Sequence, residues 1–233
     1  METKEKKVSR REFLRASAAA GAVLAAGGVL LSAGGGTGAA AAEPIQLSKP
    51  QDAGTSGLTT LLAKRASSRE FSPQPLPVAV LSTLLWSAFG INRPDGKRTA
   101  PSANNRQDID IYAILAEGLY LYDPKANALK PVVMEDLRGL AGSQPFVKGA
   151  PLNLVYVSDY TKLGGLPEEM RLFYSGAHTG FISQNVYLSC ASQGLATVVR
   201  AMVDKPVLAK AMKLGPDQRI TLVQTVGYPK KGG

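Results

Sequence analysis

The chain has 233 residues, 45% of them hydrophobic and 19% charged, with a formal net charge of +9. This composition is ordinary for a globular protein and excludes both a disordered chain and a disulfide scaffold. The single cysteine, Cys190, and the single histidine, His178, exclude an internal disulfide, a thiolate metal cluster and a multi-histidine metal site. A Ser/His/Asp hydrolase would have to use His178, and the chain has no Gly-x-Ser-x-Gly turn to supply its nucleophile.

The first 42 residues have the features of a twin-arginine export signal. A basic start leads into the run from Ser9 to Leu14, which contains Arg10 and Arg11, and a Gly/Ala/Leu stretch and an Ala-rich site follow. We predict cleavage near Ala42, passage through the twin-arginine translocase and a periplasmic location. An uncleaved signal that anchors the protein in the membrane is the alternative. Residues 43–56 are predicted to be a linker, and residues 57–233 a single domain.

Apolar periodicity predicts an α+β order for that domain. Leu58, Leu61 and Leu62 indicate a short helix at 57–64, and a second helix begins at Pro77 and stops at Gly90. A polar loop follows at 91–106. Further on we predict strands at 109–115, 118–122, 129–133, 151–158 and 220–226, and helices at 167–193 and 205–214. Predicted core positions of the long helix are Phe173, Phe181, Ile182, Val186, Leu188 and Cys190. A central sheet flanked by helices follows.

Polar clusters interrupt this pattern at three places. In the first, Arg65 and Arg69 lie four residues apart and can converge on one anion while Ser67 donates a hydroxyl. A solvated basic helix end is the alternative interpretation. In the second, a loop at 101–107, Asn105 and Gln107 can hydrogen-bond the edge of a heteroaromatic ring. The third combines the segment 194–201 with the terminal segment 227–231. We expect the three clusters to form one site.

Four sequence motifs occur in the order that is typical of one enzyme family. They are Arg-Ala-Ser-Ser-Arg-Glu-Phe at 65–71, Arg-Thr-Ala-Pro-Ser-Ala-Asn-Asn-Arg-Gln at 98–107, Gly-Leu-Tyr-Leu-Tyr-Asp at 118–123, and Gln-Asn at 184–185 with Gly-Leu-Ala-Thr at 194–197. Over residues 57–231 the chain resembles the FMN-dependent nitroreductase family, particularly its branch related to azoline-oxidising dehydrogenases. The resemblance implies a mixed or antiparallel central sheet and an intertwined homodimer, with FMN bound at the subunit interface.

The resemblance also implies a role for each matching residue. The FMN phosphate would be held by Arg65, Ser67 and Arg69, by the backbone of Ala66, and by Lys230 and Lys231 from the C-terminal segment. The flavin ring would lie against Pro101, Ser102 and Ala103, with Asn105 and Gln107 at its polar edge and Arg200 and Ala201 on its other side. Arg200 and Ala201 stand where relatives often carry an acidic residue or glycine. No catalytic side chain is expected, because the flavin carries the chemistry.

The expected activity is two-electron transfer between a small-molecule donor and a small organic acceptor, such as a nitro compound or a quinone, in a ping-pong cycle. Export would separate the enzyme from reduced nicotinamide nucleotides, so a quinol or a redox protein is a candidate donor. Oxidation of a peptide azoline and a non-catalytic flavin-binding or partner-binding module are the alternatives. We expect no nucleic-acid partner, because such a protein would need a one-sided Lys/Arg surface with aromatic platforms and because export would separate it from nucleic acid.

Overall fold

A computed structural model of the protein describes residues 43–48 and 57–230. The predicted export signal, residues 49–56 of the predicted linker and Lys231 fall outside this range. The predicted α+β class is confirmed, because the described residues form one sheet flanked by helices.

The sheet has seven strands in the order β1-β4-β3-β2-β5-β7-β6, and every neighbouring pair is antiparallel. The strands are β1 (Ile45–Gln46), β2 (Ile109–Ile114), β3 (Leu119–Asp123), β4 (Ala128–Val133), β5 (Leu152–Asp159), β6 (Ala196–Arg200) and β7 (Gln218–Gly227). Strands β2 to β4 form the meander that the turn-rich segment after Tyr122 predicts. The strand β1 pairs with β4, so part of the predicted linker belongs to the sheet.

The helices are α1 (Leu58–Lys64), α2 (Val78–Phe89), α3 (Phe146–Gly149), α4 (Glu168–Gln193) and α5 (Lys205–Ala211). Helix α2 ends at Gly90 as predicted. Helix α4 ends at Gly194, whose φ of 67° lies in the left-handed region that glycine adopts without strain. Among the described residues, no helix is both long enough and apolar enough to cross a membrane.

Helices cover both faces of the sheet. On one face, Leu84 of α2 and Ile182 of α4 pack with Ile111 of β2 in a fully buried cluster. On the other face, Leu208 of α5 packs with Ile114 of β2. Successive residues of a strand point to opposite faces. Strand β2 is therefore buried on both sides and has no solvent-facing row.

The long helix α4 has a second apolar face that points away from this core. Ile182, Val186 and Cys190 are buried as predicted, but Phe173 and Phe181 are 63% and 48% exposed, so their prediction as core residues was wrong. Gly176 and Gly180 lie between them, and a Cβ at either position would meet nothing within 4 Å. We call the set Leu172, Phe173, Gly176, Gly180 and Phe181 the outer face of α4.

Candidate functional site

The segment Arg65–Phe71 lies along the free edge of β6. Arg65 caps the C-terminus of α1, and the Ser68 N–H donates to the Thr197 carbonyl oxygen at 2.9 Å. The terminal segment runs beside it, because Phe71 bridges to Pro229 and the Lys230 N–H donates to the Glu70 carbonyl oxygen at 3.3 Å. The first predicted cluster and the start of the predicted C-terminal contribution therefore meet in one place.

Tyr187 of α4 connects two of the three side chains of this segment that are predicted to bind phosphate, Ser67 and Arg65. The Val199 N–H of β6 donates to its hydroxyl oxygen at 3.0 Å, and that oxygen lies 2.8 Å from the Ser67 Oγ. One of the two hydroxyls donates to the other, so one hydroxyl hydrogen of the pair stays available to a ligand. The Arg65 guanidinium carbon lies 5.3 Å from the centre of the Tyr187 ring, within cation–π range. No local sequence pattern indicated this role for Tyr187.

Among the described residues, the basic side chains beside this segment make no ion pair with a carboxylate. Within residues 43–48 and 57–230, no ion pair involves Arg65, Arg69 or Lys230. Ser67 and Arg69 are exposed and Arg65 is half-buried. Guanidinium groups and a hydroxyl hydrogen are the donors that an oxyanion such as a phosphate requires, and this set therefore fits the phosphate of a flavin nucleotide.

Two cavities adjoin the segment and share Pro229 in their walls. A small one of about 170 Å³ is bounded by Ala66, Tyr187 and Thr197. A larger one of about 790 Å³ is bounded by Phe71, Phe146, Tyr228 and Lys230. The larger volume is in the range of sites that enclose small organic ligands, and the smaller one is not.

The predicted ring-side loop, residues 101–107, has a strained backbone. Asn104, Asn105 and Gln107 have φ values of 49°, 53° and 47°, in the left-handed region that glycine adopts freely, asparagine less readily and glutamine rarely. Such strain persists only where the surroundings enforce it. Here the Gln107 N–H donates to the Ser102 Oγ at 2.9 Å, and the Arg98 Nε–H donates to the Gln107 Oε1 at 2.9 Å.

The two side chains predicted to bind the flavin edge differ in how many amide hydrogens they have free to donate to a ligand. The Gln107 side-chain amide donates to the Gly96 carbonyl oxygen at 3.1 Å and to the Asn105 Oδ1 at 3.0 Å, which uses both of its hydrogens. Asn105 is exposed, and its amide N–H groups make no hydrogen bond within the described residues. Asn105 is therefore the better candidate for direct contact with a ligand, and Gln107 stabilises the loop.

A buried Asp–His pair lies directly under this loop. The His178 Nδ1–H donates to the Asp108 Oδ1 at 2.5 Å, the Ser158 hydroxyl donates to the Asp108 Oδ2 at 2.8 Å, and the Ala103 N–H donates to the His178 Nε2 at 2.8 Å. Although burial opposes ionisation, the hydrogen bonds from His178 and Ser158 hold the pKa of Asp108 below its ordinary value. Asp108 and His178 are 70 positions apart, so no sequence spacing indicated the pair.

The loop and the Arg65–Phe71 segment lie apart within one chain. The loop contacts α4 at His178 and the segment contacts it at Tyr187, nine positions further on. At 1.5 Å per residue these contacts are about 13 Å apart along the helix. The first cluster and the terminal segment therefore meet in one place, and the loop contacts α4 about 13 Å further toward its N-terminus.

Arg200, predicted to border the flavin ring, is buried in a polar network of the protein. Its guanidinium donates to the Ala141 carbonyl oxygen at 3.1 Å, to the Asn153 Oδ1 at 3.2 Å and to the Thr225 Oγ1 at 2.8 Å. Burial lowers the pKa of Arg200 to about 10. A contact between Arg200 and a ligand would therefore come from its backbone, and the neighbouring Ala201 is exposed.

Comparison with known proteins gives consistent results at the level of the family. The Nitroreductase family model matches residues 62–228. A relative from Methanocaldococcus jannaschii that is named as a nitroreductase is 31% identical over 161 residues, which cover 64% of this chain and 81% of the relative.

Solved structures extend this comparison to the fold. A nitroreductase structure from Ralstonia eutropha JMP134 is 40% identical with a TM-score of 0.78, covering 88% of this chain and 97% of that chain. The Escherichia coli microcin synthetase McbBCD complex is 19% identical with a TM-score of 0.62, covering 98% of this chain and 85% of that chain. At that identity the likeness shows the fold alone and does not support the predicted azoline-oxidising branch. The family match and the Ralstonia structure together show that this chain belongs to the nitroreductase family.

Proposed function

We propose that this member of an oxidoreductase family binds FMN and passes two electrons from a donor to a nitro compound or a quinone. The observation that carries the proposal is the arrangement around Tyr187. The Arg65 guanidinium lies over its ring, Ser67 is hydrogen-bonded to its hydroxyl, and no ion pair among the described residues involves Arg65 or Arg69. Arg65, Ser67 and Arg69 are the residues to which the resemblance gives the phosphate-binding role.

Bound FMN would supply the two-electron hydride chemistry, and the protein would supply binding, orientation and exclusion of water. Arg65, Ser67 and Arg69 would hold the phosphate through charge-assisted hydrogen bonds, with Lys230 and Lys231 adding positive charge. Asn105 would donate from its free amide to the polar edge of the ring, and Pro101, Ser102 and Ala103 would lie against the ring. In the ping-pong cycle the donor leaves before the acceptor binds over the same ring face, so one open pocket serves both.

We further propose that two copies of the chain form the site together. Two observations support this. The outer face of α4 exposes large apolar side chains next to two glycines, and a monomer rarely leaves such a patch uncovered. The loop at 101–107 and the segment at 65–71 also contact α4 about 13 Å apart. In a homodimer, the loop of one subunit can complete the phosphate-binding segment of the other.

Export through the twin-arginine pathway is the remaining part of the proposal. This pathway carries folded proteins, so FMN would be inserted in the cytoplasm, where it is made. The physiological donor would then be a quinol or a redox protein rather than a nicotinamide nucleotide.

The decisive experiment is to purify the protein after expression with its N-terminal segment and to record its visible spectrum. We expect a yellow protein that retains FMN, and parallel lines in double-reciprocal plots when donor and acceptor are varied with a nitroaromatic or quinone acceptor. The double variant Arg65→Ala/Arg69→Ala should lose FMN, because each charged hydrogen bond contributes about 1.5–3 kcal/mol. The matched control Lys205→Ala/Lys210→Ala removes two charges from α5 and should retain it. A colourless protein that does not take up added FMN would refute the proposal.

A further inference from the structure

The strained loop at 101–107 needs anchors that outweigh its unfavourable backbone. Three residues other than glycine in this short segment are left-handed, and Gln107 adopts that region less readily than the two asparagines, so a loop without anchors would relax. Ser102 and Arg98 anchor the loop at Gln107. The Arg106 guanidinium anchors it to the carbonyl oxygens of Lys162 and Gly164 at 3.0 and 3.2 Å.

His178 is the anchor at the other end of the loop. Its Nε2 accepts the Ala103 N–H at 2.8 Å, and the ring is buried, with 2% of its surface exposed. Ala103 begins the short 3₁₀ turn Ala103–Asn105. The other two residues of this turn, Asn104 and Asn105, are both left-handed. The position of Asn105 therefore depends on a hydrogen bond made by a buried imidazole.

The hydrogen-bond partners of the imidazole indicate which tautomer of the neutral ring is present. A nitrogen that accepts an N–H must carry a lone pair, so Nε2 is unprotonated and the single hydrogen of the neutral ring is on Nδ1. Asp108 accepts that hydrogen and is itself held by Ser158. The buried carboxylate thus selects the one tautomer that can bind the loop, in the way that a hydrogen-bonded carboxylate orients histidines elsewhere.

We infer that His178 is a positioning residue that holds Ala103 and Asn105 in the conformation that receives the flavin ring. Asp108 keeps His178 in the Nδ1–H tautomer that this role requires. The hydrogen bond to Ala103 exists only while Nε2 is unprotonated. Protonation of His178 places an N–H opposite the Ala103 N–H and releases this end of the loop. The part of the inference that concerns the flavin rests on the proposed function.

Two titratable groups among the described residues contact the imidazole. Asp108, which follows the loop directly, binds Nδ1, and Tyr174, one turn earlier on α4, stacks on the ring with centroids 5.7 Å apart. Neither group is at Nε2, which faces the Ala103 N–H. If Nε2 becomes protonated, neither group can therefore accept a hydrogen bond from it. The loop is therefore the part of the structure that responds when the ring gains its second proton.

The first test needs no cofactor. His178 is the single histidine of the chain, so ¹⁵N NMR of the FMN-free protein gives one unambiguous pair of imidazole nitrogens. We expect the hydrogen on Nδ1, an unprotonated Nε2, and slow exchange of the Ala103 amide hydrogen. A hydrogen on Nε2, or an Ala103 amide that exchanges as fast in the wild type as in His178→Asn, would overturn the inference.

The second test measures FMN affinity by quenching of flavin fluorescence in a matched pair of variants. His178→Asn keeps a donor for Asp108 but does not reach Ala103, and we expect affinity about three- to tenfold weaker, the effect of one hydrogen bond. His178→Gln places an amide oxygen near the position of Nε2 and takes up no proton, and it should bind FMN within twofold of the wild type.

Acidification completes the test. Wild-type affinity should fall as the NMR signals of His178 report protonation, whereas His178→Gln should lack this part of the pH dependence. Equal affinity in all three proteins, or the same pH profile for wild type and His178→Gln, would overturn the positioning role. A wild-type protein that binds no FMN would refute the proposed function instead, and the NMR experiment would still decide whether His178 holds the loop.

Discussion

Replacing Tyr187 by Phe should destabilise the protein through two named hydrogen bonds. The Val199 N–H loses its acceptor. Such a loss costs about 1–3 kcal/mol for a buried group, and we expect about 1 kcal/mol here because Val199 is half-buried. Ser67 loses its partner at 2.8 Å, which costs about 0.5–1 kcal/mol. The phenyl ring keeps the packing and the contact with Arg65. The free energy of unfolding should therefore fall by about 1.5–2 kcal/mol.

Urea unfolding of the FMN-free protein measures this difference, with Tyr122→Phe as the matched control. The Tyr122 hydroxyl makes one long hydrogen bond, to the Asn127 Oδ1 at 3.3 Å, so its loss should cost less than about 1 kcal/mol. A double-mutant cycle of Tyr187→Phe with Ser67→Ala should give a coupling energy of about 0.5–1 kcal/mol. Additive effects, or a Tyr187→Phe variant no less stable than Tyr122→Phe, would refute the assigned hydrogen bonds.

Three further changes test other parts of the structure. Phe181→Asp, on the outer face of α4, should shift the protein toward monomer in light scattering, whereas Val207→Asp, equally exposed on α5, should not; equal masses would argue against the dimer face. Leu84→Ala, fully buried, should lower the free energy of unfolding by about 2–5 kcal/mol in urea titration, against less than about 0.5 kcal/mol for Val207→Ala. The folded pKa of Asp108 is lowered, so its stabilising effect is present above its ordinary pKa and is lost as pH falls through the folded value. Below about pH 4 the wild type should therefore lose stability faster than Asp108→Asn, and parallel pH profiles would contradict this.

The helices and strands were predictable where local pattern and local structure coincide. In α2, apolar residues at helical spacing are the residues that are buried, and Gly90 stops the helix as the sequence indicates. The same pattern misled at Phe173 and Phe181, because periodicity shows that a face is apolar but not what it packs against. The strand β1 could not be predicted, since a two-residue strand is too short to show alternation.

The candidate site was predictable as a set of motifs but not as a geometry. Arg65 and Ser67 are close in sequence and both contact Tyr187, so their proximity followed from spacing, and the contribution of Arg69 stays a prediction. Tyr187 and the Asp108–His178 pair join the motifs to α4 across long sequence separations, and nothing local marks them. A histidine on a helix with apolar neighbours has the same sequence pattern whether it fills the core or holds a loop. Only its partners at Nδ1 and Nε2 distinguish the two.

The position of β7 in the sheet has a consequence for the biosynthesis of this protein. It is the last strand in chain order, yet it lies between β5 and β6 and is the sheet neighbour of β6 among the described residues. A nascent chain that has reached residue 217 therefore holds β6 with no strand to pair with, and the edge that supports Arg65–Phe71 has not formed. Folding of the ligand-binding end must wait until residues 218–227 leave the ribosome, so a chaperone that covers β6 during synthesis would protect it from pairing with another chain.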